Sequence, residues 1–84
     1  MSALAIDLRR TTGFLVADAK GRVVGTVECP MYASAVDLPN ALAVKAGVLG
    51  RHRRLVRAEM IEAIDPTGGV IGLRVDWRAI LTFL

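Results

Sequence analysis

The feature that most constrains this chain is a pair of apolar segments joined by a short polar turn. Residues Thr11–Ala17 are followed by Asp18–Gly21 and then by the valine-rich segment Arg22–Cys29. Two apolar segments around a glycine-containing turn predict a β-hairpin, because aspartate hydrogen-bonds to nearby backbone and glycine readily adopts a positive φ. The pattern therefore favours an antiparallel sheet at the start of the fold.

Gly25 interrupts the second strand of this hairpin. A glycine inside a valine-rich strand usually marks a bulge, a sharp bend or a close approach of another backbone. We interpret Gly25 as the point at which a long strand bends to close a small barrel. We also expect Pro30 to end the regular pairing or to place the strand at a sheet edge, because proline has no backbone N–H.

The remaining sequence continues with short apolar segments and turns. Residues 41–48 suit a buried strand, but their alanines also suit a helix, and periodicity leaves both open. Later alternation of apolar residues predicts a strand over Val70–Trp77. The other expected elements are a turn at 50–53, a strand at 54–58, a helical turn or strand at 59–64, and a turn at 65–69.

Five or six short strands at spacings near ten residues predict a small all-β barrel or sandwich. Closure into a barrel is favoured because it removes unpaired edges. The 84 residues suit one domain. We divide the chain into an N-terminal arm at 1–10, a barrel at 11–77, and an apolar segment at 78–84 that packs on the core or on a partner.

Three parts of the sequence resemble the PRC-barrel family, over about residues 12–76. They are Gly13–Val27, then Arg54–Val56 with Ile61–Asp65, and finally Val70–Val75. Arg57 stands where such domains often carry proline. The resemblance implies a bent, five- to six-stranded PRC-type β-barrel, with a short C-terminal helix or an extra strand as an option. It also implies an adaptor or docking module, and it carries no family-wide catalytic residue.

Positive charge is concentrated in one segment of the chain. The basic residues, which flank the only histidine, are Arg51, Arg53, Arg54 and Arg57. They suit contacts to phosphates of RNA or DNA, to an acidic protein surface, or simply to solvent at a turn. No aromatic residue is interleaved with them, although stacking of single strands usually needs one. We therefore keep nucleic acid, RNA in particular, as the alternative to a protein partner.

The end of the sequence is apolar. It supplies candidate residues for an oligomer interface, namely Trp77, Ile80, Leu81, Phe83 and Leu84. The hydrophobic fraction of 54% is more than a small barrel hides easily, which favours self-association, most simply as a homodimer. Trp77 suits either an interface anchor or the base of the barrel.

No pattern in the sequence indicates an enzyme, a cofactor or a metal site. Cys29 is the only cysteine, and we expect it to be a half-buried small hydrophobe. The carboxylates Glu59, Glu62 and Asp65 suit surface ion pairs, and His52 suits a plain surface position. With no basic N-terminal region and no long apolar segment, we expect a cytoplasmic protein without membrane insertion.

Overall fold

The computed structural model describes residues 8–32, 39–46 and 51–82, and within them the fold is all-β, as predicted. Three 3₁₀ turns lie at Leu8–Arg10, Ala58–Met60 and Trp77–Ala79. The strands are β1 (Leu15–Ala17), β2 (Val23–Met31), β3 (Ala41–Ala46), β4 (His52–Arg57), β5 (Ile61–Asp65), β6 (Val70–Leu73) and β7 (Leu81–Thr82). The two-residue β7 is the extra strand that the resemblance left as an option.

All seven strands belong to one sheet, in the order β5-β6-β1-β2-β3-β4-β7. Neighbours are antiparallel, except that β1 pairs parallel to β6. The three-residue turn Ala58–Met60 joins β4 to β5, although these strands lie near opposite ends of the order. Because three residues span only about 10 Å, the sheet must curl until its two ends approach each other. This corner closes the barrel, since no ladder joins β5 to β7 in the described part of the chain.

The hairpin forms where the sequence predicted it, although β1 covers only the end of the expected strand. Leu15 pairs with Thr26, and the register shifts by one residue between Val16 and Ala17. Gly25 lies at this bulge, opposite Val16. A Cβ on Gly25 would overlap the carbonyl oxygen of Lys45 in β3. Glycine is therefore required by the close approach of a neighbouring backbone, in a strand that is also bulged.

Pro30 does not end β2, which continues to Met31 and stays paired with β3. The first expectation for Pro30, that it ends the pairing, is therefore wrong, whereas the second, a place at a sheet edge, fits this part of β2. On the side of β2 away from β3, the pairing with β1 and the residues before it extends only to Val27, whose carbonyl accepts from the Gly13 N–H. Beyond that point β2 has one neighbour among the described residues, so the missing N–H of proline is tolerated on the open side.

The stretch that suited both a strand and a helix is the strand β3 over its described residues. It pairs with β2 on one side and with β4 on the other. Leu42 and Val44 are fully buried and face Val56 and its neighbours in the core. The core also contains Leu8, Val16, Val24, Val27, Ile61, Ile71, Leu73 and Ile80.

Some element boundaries differ from those predicted. Strand β4 begins at His52, two residues before the expected start, and this shifts Arg53 from a turn into the sheet. Strand β6 ends at Leu73, and Trp77 opens a 3₁₀ turn instead of ending a long strand. The Asp76 side chain caps that turn by accepting from the backbone N–H of Arg78 at 3.0 Å.

The two ends of the described chain contribute to the barrel. Leu8 is 1% exposed, and the Thr11 hydroxyl donates to its carbonyl at 2.8 Å. Ile80 is 5% exposed and packs in the same core. The folded unit therefore begins before residue 11 and extends past residue 77. Residues 1–7, 33–38, 47–50 and 83–84 lie outside the described residues.

Candidate binding groove around Arg54 and Trp77

Alternation along β4 separates the arginines that are clustered in the sequence. Arg54 lies opposite Val44, so it is on the face of the sheet that carries the core. Arg53 and Arg57 lie on the other face, and Arg51 precedes the strand and is exposed. His52 is exposed, as expected. The four arginines therefore do not form a single basic patch.

Arg53 is engaged by a carboxylate on β2, which is separated from β4 by β3. Its Nε donates to Oε1 of Glu28 at 2.5 Å, and its Nη2 donates to Oε2 at 3.2 Å. Glu28 lies where the register between β2 and β3 shifts, at the bulge between Val27 and Cys29. This two-point ion pair balances the charge of Arg53 on the outer face of the barrel.

Arg54 rests on the indole ring of Trp77. The guanidinium carbon lies 5.0 Å from the ring centroid, and both side chains are half-buried. This geometry is a cation–π contact, which contributes about 0.5–1 kcal/mol at exposed sites and more when the pair is desolvated. The stem of Arg54 starts from the core face, so its charged head lies at the rim of the barrel.

The Arg54–Trp77 pair forms one wall of an open groove of about 240 Å³, hereafter the Arg54–Trp77 groove. Arg22 is exposed, and Val23 next to it is 63% exposed. The buried side chains of Val24 and Ala46 complete the lining. The groove thus combines two guanidinium groups with an apolar surface. Its lining residues are Arg22, Val23, Val24, Ala46, Arg54 and Trp77.

Asp18 holds two parts of this groove together. Its Oδ1 accepts from the backbone N–H groups of Lys20 at 2.9 Å and Arg22 at 2.8 Å, while Oδ2 accepts from that of Trp77 at 3.1 Å. Burial tends to raise the pKa of the Asp18 carboxyl, but the hydrogen bonds from Arg22, Trp77 and Lys20 hold that pKa below its ordinary value. The sequence predicted Asp18 as a turn residue, and the bond to Trp77, 59 residues away, had no local signal.

The other cations near Asp18 are balanced by Asp76. Lys20 Nζ lies 3.3 Å from one carboxylate oxygen of Asp76, and Arg78 Nε lies 3.7 Å from the other. The backbone N–H of Arg78 lowers the pKa of Asp76 most, and Lys20 adds to this against the effect of burial. Within the part of the chain that the structure describes, Arg22 and Arg54 have no carboxylate partner.

The apolar C-terminal candidates are divided between the core and the sheet. Trp77 packs against the core while lining the groove, and Ile80 is buried. Leu81 belongs to β7, opposite Leu55 of β4. Phe83 and Leu84 lie outside the described residues. Their role in an oligomer interface stays a prediction.

The outer face of β2, β3 and β4 also carries apolar side chains, some of which are buried. Ala41 and Ala43 point away from Leu42 and Val44, yet they are only 1% and 4% exposed. Leu55 lies opposite Ala43 on one side and is half-buried. Cys29, on the other side, is exposed, so the expectation that it is half-buried is wrong. Its side chain falls on the outer face because the bulge at Glu28 resets the register there.

The acidic residues near β5 have no convergent arrangement. Asp65 Oδ1 accepts from the backbone N–H groups of Thr67 and Gly68 at 3.1 Å each, which stabilises the turn after β5. The described residues include no group of three His, Cys, Asp or Glu side chains placed to hold a metal ion. They also include no helix with the length and apolar character needed to span a bilayer.

Comparison with known proteins supports the fold. No family model and no curated protein matches the sequence. The crystal structure of a 16S ribosomal RNA processing protein, RimM, from Pseudomonas aeruginosa is similar, with a TM-score of 0.65 and 21% sequence identity. The match covers 86% of this chain and 44% of that protein, so this chain spans less than half of the length of its neighbour. The small all-β fold of the chain thus resembles a barrel domain that is part of a larger protein.

Proposed function

We propose that this chain is a PRC-type β-barrel that acts as a non-catalytic binding module and docks a protein partner at the Arg54–Trp77 groove. The observation that carries this proposal is the groove itself. There, Arg22 and Arg54 lack carboxylate partners among the described residues and lie next to the exposed Val23. Arginine and tryptophan are enriched where protein interfaces gain most of their binding energy. The likeness to the RimM structure supports the PRC-type barrel.

RNA binding is the alternative function. It is favoured by the name of the similar structure, a 16S ribosomal RNA processing protein, and by the exposed side chains of Arg51 and Arg57. Against it, Arg53 is bound to Glu28, and Arg54 points to the opposite face of the strand. The Trp77 ring is contacted by Arg54 and also packs against the core, which leaves a poor stacking platform for single-stranded RNA.

Self-association is a second candidate property, and it rests on a different surface. On the outer face, the half-buried Leu55 and the exposed Cys29 lie on either side of the buried Ala43 and form a small apolar surface. A homodimer would cover this surface together with the apolar C-terminal segment. Within this proposal the protein works in the cytoplasm, where a single exposed thiol stays reduced.

Affinity capture with matched variants tests the docking function. Three baits are immobilised: the wild type, the double variant Arg22→Ala/Arg54→Ala and the control Arg57→Ala. Each is exposed to lysate of the source organism, with and without nuclease treatment. We expect a protein that the wild type and the control retain and the double variant loses. Equal retention by all three baits, or retention that disappears with nuclease treatment, contradicts docking at the groove. Circular dichroism checks that each bait is folded.

Sedimentation velocity tests self-association separately. Leu55→Arg places a charge on the outer face, whereas Arg57→Ala on the same face leaves the apolar surface intact. If a dimer uses this face, the wild type and Arg57→Ala sediment as dimers at micromolar concentration, and Leu55→Arg as a monomer. A wild type that is monomeric throughout this range contradicts the homodimer.

A further inference from the structure

We infer that the Arg54–Trp77 groove recognises an acidic segment of polypeptide, in which a carboxylate binds Arg54 and an adjacent apolar side chain contacts Val23. This inference rests on the proposed docking function and adds the chemistry of the ligand. It is carried by the two kinds of surface that meet in the groove. Neither a purely apolar nor a purely anionic ligand would use both.

The Arg54 guanidinium is held in place for such a contact. Its central carbon lies 5.0 Å from the centroid of the Trp77 ring, and Asp18 accepts a hydrogen bond from the backbone N–H of Trp77. A guanidinium that already rests on an aromatic ring loses less conformational freedom when a carboxylate binds its N–H groups at two points. No described side-chain nitrogen or oxygen is buried without a hydrogen-bond partner, so the donors of Arg54 reach the groove or the solvent.

The charges around the groove favour an anion. Arg22 provides a second positive group in the lining of the groove, and its backbone N–H donates to Asp18. The two acidic residues closest to this region are already engaged. Asp18 accepts three backbone hydrogen bonds, and Asp76 is paired with Lys20 and Arg78. A ligand carboxylate therefore meets two cations that no described carboxylate balances.

The apolar lining distinguishes a peptide from a nucleic acid. Val23 is 63% exposed, and Val24 and Ala46 form an apolar floor. A nucleic-acid backbone needs a track of cations, and its bases need open aromatic faces. Among the described residues, the groove has two cations and one aromatic ring, and Arg54 and the core occupy that ring. An acidic residue beside a leucine or valine meets both surfaces.

Trp77 makes the test direct, because it is the only tryptophan of the chain and it lines the groove. The probes are a blocked peptide of alternating glutamate and leucine, the same peptide with glutamine for glutamate, and an oligouridine. Binding is followed by Trp77 fluorescence and by calorimetry. We expect saturable binding of the glutamate peptide and at least tenfold weaker binding of the glutamine peptide and the oligouridine.

Variants identify the side chain that is responsible. We expect Arg54→Lys to weaken binding of the glutamate peptide several-fold, since lysine keeps the charge but cannot bind a carboxylate at two points. Arg22→Ala, which leaves the Arg54–Trp77 contact in place, also weakens binding, whereas Arg57→Ala does not change it. Equal binding of the glutamate and glutamine peptides, or tighter binding of the oligouridine, overturns the inference.

The outcomes for the two proposals are separable. If affinity capture depends on Arg22 and Arg54 but the glutamate peptide does not bind, the acidic-peptide inference fails and protein docking at the groove stands. If capture is the same for the wild type and the groove variants, the docking function itself fails.

Discussion

Strands β3 and β4 are paired over six residues, yet they serve different purposes. Five of the six side chains of β3 are buried and only Lys45 is exposed, whereas Val56 is the one fully buried side chain of β4. The difference follows from position. Strand β3 has a long neighbour on each side, while β4 is covered on its far side only by the two-residue β7. An interior strand secures the fold, and a strand near the edge can carry charges towards a ligand.

Of all these substitutions, we expect Gly25→Val to lower the free energy of unfolding most, because it disturbs the packing of β2 against β3. Its Cβ would overlap the carbonyl oxygen of Lys45, and rotation of a side chain cannot relieve a clash with backbone. We expect a loss of more than about 4 kcal/mol in the free energy of unfolding, measured by urea denaturation.

The matched control for this substitution is Gly72→Ala in β6. There the nearest atom to an added Cβ is the carbonyl oxygen of Ala63, at an ordinary 3.9 Å. If Gly25→Val unfolds at the same urea concentration as the wild type or as this control, the close approach of the Lys45 backbone is not the reason for a glycine at position 25.

The second prediction compares one leucine from each strand. Leu42 of β3 is fully buried, whereas Leu55 of β4 is half-buried on the outer face. We expect Leu42→Ala to cost about 3 kcal/mol, within the range for buried leucines, and Leu55→Ala to cost about 1 kcal/mol or less. Chemical denaturation of both variants gives the comparison. Equal losses would show that β3 and β4 contribute alike to the core.

The third prediction concerns Asp18, which supports Arg54 indirectly by holding the backbone of Trp77. Asp18→Asn replaces a carboxylate that accepts from three backbone N–H groups, including that of Trp77. We expect a lower melting temperature at neutral pH, because an amide provides one acceptor oxygen and a misplaced donor. Glu62→Gln, at an exposed carboxylate, is the control and is expected to melt like the wild type.

Lowering the pH tests the role of Asp18 in a second way, because the stability that its carboxylate contributes depends on its charge. The pKa of Asp18 in the folded protein lies below its ordinary 3.8. Its contribution to stability is therefore complete above that value, and it is lost as the pH falls through the lower pKa of the folded state. The difference in melting temperature between the wild type and Asp18→Asn should shrink in acid. A difference that stays constant from neutral pH to strong acid contradicts the role given to the carboxylate.

The smallest effect is expected from Arg57→Pro at the end of β4. Arg57 has φ −82° and ψ 153°, close to what proline adopts. The N–H of Ala58 donates to the carbonyl of Asn40, so in the antiparallel pattern the N–H of Arg57 points away from β3. We expect a gain of about 0.4–1 kcal/mol in the free energy of unfolding, measured by urea denaturation with Arg57→Ala as control. A loss larger than 1 kcal/mol would show that the Arg57 N–H is needed.

Local patterns predicted the parts of the fold that depend on local chemistry. The turn at Asp18–Gly21 and the turn after Asp65 follow from side chains that hydrogen-bond to backbone within four residues. The buried positions Ile71 and Leu73 follow from alternation. The continuation of β2 through Pro30 could not be predicted in this way, because it depends on which side of the strand lacks a neighbour.

The groove was predicted only in part. Arg54 and Trp77 were both candidates, but for different surfaces, and their contact brings together residues 23 positions apart. Arg22 and Val23 were assigned only to a strand. Because β4 begins at His52, both Arg53 and Arg54 lie in the strand, on opposite faces of the sheet. A shift of one residue in the register would exchange the faces on which Arg53 and Arg54 lie. No local signal fixes that register.

Short strands around tight turns follow from local sequence, since aspartate, glycine and alternating apolar residues act over a few residues. The sequence also placed Arg54 and Trp77 within the folded unit. The pairing of Arg53 with Glu28 and the position of Arg54 over Trp77 depend instead on the folded sheet. The physical reason is that sheet order and register bring distant residues together, and these determine which charges are paired and which remain available for a ligand.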